Sequence, residues 1–130
     1  MAEFSDIKVV GLDEKASKPR EPGSPMVRVV LTLSASAPAE WCNYFNDSWQ
    51  GHIYMMKRHA RASGNTIAIE CVVDELESEH LPELKKVISE TNTAYRRFHE
   101  QKQAHIAGLM AQEAADAAKL AELKKKLKFD

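Results

Sequence analysis

The chain predicts an α+β fold: a four-stranded antiparallel sheet in ββαββα order, one short aromatic helix, and one long C-terminal helix projecting from the body. Three observations carry this reading. Residues 26–34 alternate with the period of a strand, aromatic side chains recur at helical spacing after Pro38, and residues 79–128 hold no glycine but Gly108 and no proline but Pro82.

Residues 6–12 are rich in β-branched side chains and read as a short first strand. Residues 13–25 change character: Pro19, Pro22, Pro25 and Gly23 sit among charged residues, with nothing apolar larger than Ala16. Three prolines without N–H donors predict a mobile loop rather than an element. Residues 26–34 form the clearest strand, with Val27, Val29, Leu31 and Leu33 on the more apolar face, hairpinned to the first strand around the loop. After Ser34 and Ser36, which supply helix-start chemistry with Pro38, residues 38–49 place Trp41, Tyr44, Phe45, Ser48 and Trp49 on one helical face. Four of the nine aromatic residues lie there, which reads as a helix fixed to a sheet by its rings rather than as a ligand pocket.

Ser63-Gly64-Asn65 separates two further strands, residues 52–62 and 66–74, and predicts a tight hairpin. A two-residue turn at Gly64-Asn65 sets Ala62 opposite Ile67, Ala60 opposite Ile69, Arg58 opposite Cys71 and Met56 opposite Val73. It also sets His59 against Glu70, as a cross-strand ion pair, and Lys57 against Val72. The predicted core is Val27, Val29, Leu31, Leu33, Trp41, Phe45, Trp49, Ile67, Ile69, Val73, Leu84, Ile88 and Tyr95. In the last helix, capped by Ser78 or a neighbour, Leu84, Ile88, Thr91, Tyr95 and Phe98 form a stripe able to cross a sheet. Glu77, Glu79 and Glu83 suit the positive end of its dipole, and Lys124, Lys125, Lys126 and Lys128 the negative end. Fifty helical residues would run about 75 Å, against about 30 Å for a body of the remaining chain. The sequence therefore divides into an α+β body, residues 1–103, and an Ala/Lys-rich helical extension, residues 104–130, that is not a separate domain.

Eighteen Lys plus Arg against nineteen Asp plus Glu give a net charge of −1, and neither half is strongly basic. That balance argues against a chain built to coat nucleic acid or an anionic membrane. No apolar run approaches the ~20 residues of a membrane span, and the charged N-terminus does not read as a signal peptide, so the cytoplasm is expected. Cys42 and Cys71 lie 29 residues apart with no CxxC, which predicts two reduced, buried thiols. The histidines at 52, 59, 80, 99 and 105 make no HxxxH. The acidic run Asp74, Glu75, Glu77, Glu79 and Glu83 lacks the glycine and spacing of a calcium loop. There is no nucleophile elbow and no glycine-rich phosphate loop, so neither catalytic residues nor a cofactor are expected.

Two functional expectations remain. The first is a non-catalytic interaction or structural module whose partner is another protein chain, foremost a second copy of itself. Its interface would be Ile106, Leu109, Met110, Leu120, Leu123 and Leu127, which otherwise face water. A line through Lys102, His105 and Leu109 weakens at Glu113 and Asp116, and a second narrow seam runs through Ile106, Met110, Ala114 and Ala117. Eight alanines between Ala104 and Ala121 keep the segment helical. The second expectation is a nucleic-acid or anion-binding module using a sheet face with Arg28, Lys57, His59 and Arg61. That face offers no aromatic platform for bases, and Glu70 works against an anion.

Overall fold

Strand β3, Met26–Leu33, organises an open antiparallel sheet. Strand β1, Val9–Leu12, pairs with one edge of β3, and strand β5, Thr66–Val72, with the other; β4, Ala60–Ser63, lies outside β5. Helix α1, Ala39–Gly51, follows β3. After β5 come α2, Val73–Glu75, a π-helical turn, Leu76–His80, and helix α3, Leu81–Lys126. This computed structural model describes residues 4–128. Residues 1–3 and 129–130, counted above into the body and the extension, lie outside the described residues. The chain divides into two units, Met1–Arg96 and Arg97–Asp130, described in turn.

In the first unit the expected α+β class and hairpin are present. Ser63 pairs with Thr66, leaving Gly64 and Asn65 as the two turn residues; Gly64 has φ +58°, as the first position of a type II′ turn requires. Ala60 then faces Ile69 and Ala62 faces Ile67, in the expected register. The β4 ladder begins at Ala60, however, and not at residue 52. Met56 adopts φ 62°, and Lys57 is drawn onto the end of α1, so the chain from His52 to Arg58 makes no β4 ladder pairs. The pairings expected for Met56, Lys57 and Arg58 are absent for this reason.

The first strand starts at Val9 rather than residue 6, with a register shift between Val9 and Gly11. A Cβ at Gly11 would meet Thr32 Oγ1 at 2.8 Å, so the close approach of β1 to β3 there requires glycine. Within the proline loop, where no element is expected, Lys18–Pro19 form strand β2 against Arg28 and Val27. Ser17 Oγ accepts the Val30 N–H at 2.9 Å and donates to the Asp13 carbonyl at 2.7 Å. The Asp13 N–H in turn donates to the Val30 carbonyl at 2.8 Å. Val30 thereby satisfies its backbone where the β1 ladder ends.

The core lies between the sheet and the two helices. Val29, Leu31, Leu33, Ile67 and Ile69 on the strands, Trp41, Phe45 and Trp49 on α1, and Leu84, Ile88 and Tyr95 on α3 are buried as expected. Val27 is half-buried. Val73 is a correction: it is 56% exposed, because β5 stops at Val72 and the chain turns helical. The Glu75 carboxylate accepts the Val72 N–H at 3.3 Å, capping the helical run six residues before the expected start. Ser78 consequently lies inside the π-helical turn and caps nothing. The α1 rings stack in sequence, Trp41 on Phe45 at 5.8 Å and Phe45 on Trp49 at 6.1 Å, while Ser48 on the expected face is exposed.

A polar clamp ties the N-terminal segment to α3. Asn92, buried on α3, accepts the Ile7 N–H at 3.0 Å and the Trp41 indole N–H at 2.9 Å, and donates to the Ile7 carbonyl at 2.9 Å. Phe4 packs edge-on against Tyr95 at 4.6 Å, and Arg96 pairs with Asp6. In the second unit, α3 continues to Lys126, and every described residue from 104 onward is exposed.

Candidate interaction surfaces

The segment between α1 and β4 takes part in a continuous polar network. His52 follows the end of α1, Tyr54 packs edge-on to Trp49 at 5.6 Å, and the Trp49 indole donates to the Arg58 carbonyl at 3.0 Å. Arg58 grips Glu75 with two hydrogen bonds, at 3.2 and 3.1 Å. That guanidinium, aided by His80 and the Val72 N–H against the opposing effect of burial, holds the Glu75 carboxyl down to about 2. An ionised Glu75 can only accept. The fully buried His80 therefore presents Nε2–H to it at 3.3 Å, and its Nδ1 lies 2.8 Å from the Tyr54 hydroxyl. Burial pushes the Tyr54 hydroxyl up to about 12. The chain Arg58–Glu75–His80–Tyr54 is thus fully satisfied and fixes the loop onto the π-helical turn. Beside it, Lys86 first, then His52 at 3.4 Å, hold the Glu83 carboxyl below its ordinary range.

Three of the four residues expected to form a basic sheet face, Lys57, His59 and Arg61, line a groove of about 500 Å³ with Asn46, Asp47 and Gln50 of α1. The Lys57 ammonium is already engaged. It donates to the Trp49 and Gln50 carbonyls at the negative end of α1 and sits 5.6 Å from the Trp49 ring. Arg28 is not brought to this groove. It stands across β5, opposite Glu70, whose carboxylate lies 3.5 Å from Arg20. The Glu70 N–H donates to the His59 carbonyl at 3.1 Å, so the two residues are neighbours as expected, but the carboxylate meets Arg20 rather than the imidazole.

The cysteines carry no reactive signature. Cys42 and Cys71 are free and buried, and burial pushes both thiols up. Among the described residues no group of His, Cys, Asp or Glu is placed to hold a metal ion, and no helix is long and apolar enough to cross a membrane.

In the second unit, five of the six residues expected to form an interface lie on α3, and Leu127 follows its last residue, with its N–H donating to the Leu123 carbonyl at 3.0 Å. Ile106 is 38% exposed, and Leu109, Met110, Leu120, Leu123 and Leu127 are 48–67% exposed. At 100° per residue these six fall within one sector of about 140°. Glu113 and Asp116 interrupt it, Asp116 accepting a hydrogen bond from Gln112 at 3.0 Å. The sequence reading overlooked a second exposed apolar group: Ile53 and Met55, in the loop before β4, are 91% and 86% exposed. Their neighbours Tyr54 and Lys57 turn inward, an alternation that a strand expectation assigns to the sheet.

Comparison of the chain with protein-family models, with curated proteins and with solved structures finds no match to any of them.

Proposed function

We propose that this protein is a non-catalytic interaction module that associates with a second copy of itself through the C-terminal part of α3. One observation carries the reading. From residue 104 to 128 every residue is exposed, yet six large apolar side chains share one helical face. An isolated helix draws little stability from propensity alone; most helices are held by the packing of an apolar face. Six such side chains left in water also form a patch that soluble chains ordinarily cover. Two buried, unpaired cysteines suit a reducing compartment, which supports a cytoplasmic location. The test is the mass in solution of the full chain beside that of a chain ending at residue 103. A dimer that becomes monomeric on truncation supports the reading.

A second reading rests on the groove lined by Lys57, His59 and Arg61, which would take an anion or a nucleic-acid backbone. Binding by phosphate neutralisation falls steeply with salt, whereas an apolar helix seam is largely indifferent to it. A salt titration of any complex formed therefore separates the two.

A further inference from the structure

The exposed face of α3 has a stricter pattern than its composition suggests. From Lys102 the positions Ile106, Leu109, Glu113, Asp116, Leu120, Leu123 and Leu127 follow in unbroken steps of four and three. That is the a/d spacing of a two-helix seam, in which side chains of one helix insert between those of another. All eight are exposed, seven of them on α3 and Leu127 just past its last residue, with its N–H donating to the Leu123 carbonyl at 3.0 Å. Five are apolar, and the two acids occupy one turn in the middle.

We infer that two copies of this helix pair antiparallel, centred between Ala114 and Ala115, with Ile106 against Leu123 and Leu109 against Leu120 of the second copy. The inference rests on the self-association proposed above and adds its geometry. Reversing the helix about that point carries every seam position onto a seam position: Lys102 onto Leu127, and Glu113 onto Asp116. All five apolar seam residues then meet apolar side chains or the aliphatic stem of Lys102.

Charge and burial exclude the alternatives. Parallel pairing in register sets Lys102 against Lys102 and brings Lys119 beside Lys124 of the other copy, both like-charge contacts. The antiparallel arrangement flanks Lys119 with Gln112 and Lys124 with Gln103 instead. An antiparallel pairing shifted by one heptad would set Glu113 and Asp116 against apolar seam residues, Leu109 and Ile106 in one direction and Leu123 and Leu120 in the other. A shift of two heptads would match Lys102 with Glu113. It would also set Leu120, Leu123 and Leu127 opposite Tyr95, Asn92 and Ile88, which are already buried within their own unit. The centred pairing leaves one cost, four carboxylates around the two-fold axis. That cost keeps the association modest and makes it adjustable.

Disulfide trapping tests the geometry on the full chain, with the parent, whose two cysteines are buried, as control. Ile106→Cys and Leu123→Cys chains are oxidised mildly, separately and as an equal mixture, and their masses in solution are measured before oxidation. A crosslinked dimer abundant in the mixture and scarce in either variant alone is expected. Self-crosslinking of each variant alone, in a sample already dimeric, overturns the antiparallel geometry while leaving self-association standing. Monomers throughout, at high micromolar concentration, overturn both. A Glu113→Gln, Asp116→Asn double substitution should tighten the dimer about tenfold by removing the carboxylate charges; unchanged affinity would remove these acids from the interface.

Discussion

Asn92 occupies a position where one side chain answers three buried backbone and indole groups. Replacing it with leucine would keep the volume and strand the Ile7 N–H, the Ile7 carbonyl and the Trp41 indole N–H. Each buried unpaired group costs about 1–3 kcal/mol, of which relaxation of the N-terminal segment recovers part. Asn92→Leu should therefore lower stability by about 2–4 kcal/mol in urea unfolding; an unchanged midpoint would mean the clamp does not hold the fold. Glu75 supplies a pH dependence of definite sign. Its carboxyl is lowered from 4.5 to about 2 in the folded chain, so its contribution is complete above about pH 4.5 and is lost as pH falls toward 2. In urea unfolding between pH 5 and 2, Glu75→Gln should flatten the fall in midpoint relative to the parent. A parallel fall in both would mean that Arg58 and His80 do not favour the ionised form. Neither residue was legible beforehand. A single Asn or Glu on a helix carries no sequence signature of its partners, which here come from Ile7, 85 residues away, and from Arg58.

Helix α1 and the β4–β5 hairpin were the most legible elements because each is written in local chemistry. Of the face expected after Pro38, Trp41, Phe45 and Trp49 form a stacked row of rings, two of them fully buried. Trp41→Ala or Phe45→Ala should cost about 3–5 kcal/mol, as large aromatic cavities do. Urea midpoints equal to the parent's would take the rings out of the core. The hairpin register followed from two turn residues, and Gly64→Ala should cost about 1 kcal/mol because alanine resists the positive φ. What failed at this scale were boundaries set by side chains distant in sequence. β4 begins late because Lys57 is held by the α1 carbonyls, and β5 ends early because Glu75 reaches back to Val72. Period-two patterning continues through both segments and cannot register either event.

At the scale of the whole molecule, the feature that the sequence expressed most directly was an excess of helix over core. The apolar stripe from Leu84 to Tyr95 is buried, while the six apolar residues from Ile106 to Leu127 are exposed. The same arithmetic of length and periodicity that predicted the helix thus separates its two parts. The groove beside β4 was only half legible, since alternation grouped Lys57, His59 and Arg61 but could not foresee that the α1 carbonyls take the Lys57 charge. The body contains its own core, so removing residues 104–130 should leave the urea midpoint of a monomeric chain within about 0.5 kcal/mol of equivalent stability at low protein concentration. A large loss there would mean that the extension supports the body rather than an interface. Sedimentation equilibrium of the full chain up to high micromolar concentration, beside the chain ending at residue 103, tests the central claim most directly. Self-association through α3 predicts a concentration-dependent shift to twice the chain mass for the full chain, not weakened by added salt, and a single mass for the truncated one. A full chain that remains at the monomer mass across the whole range would contradict it.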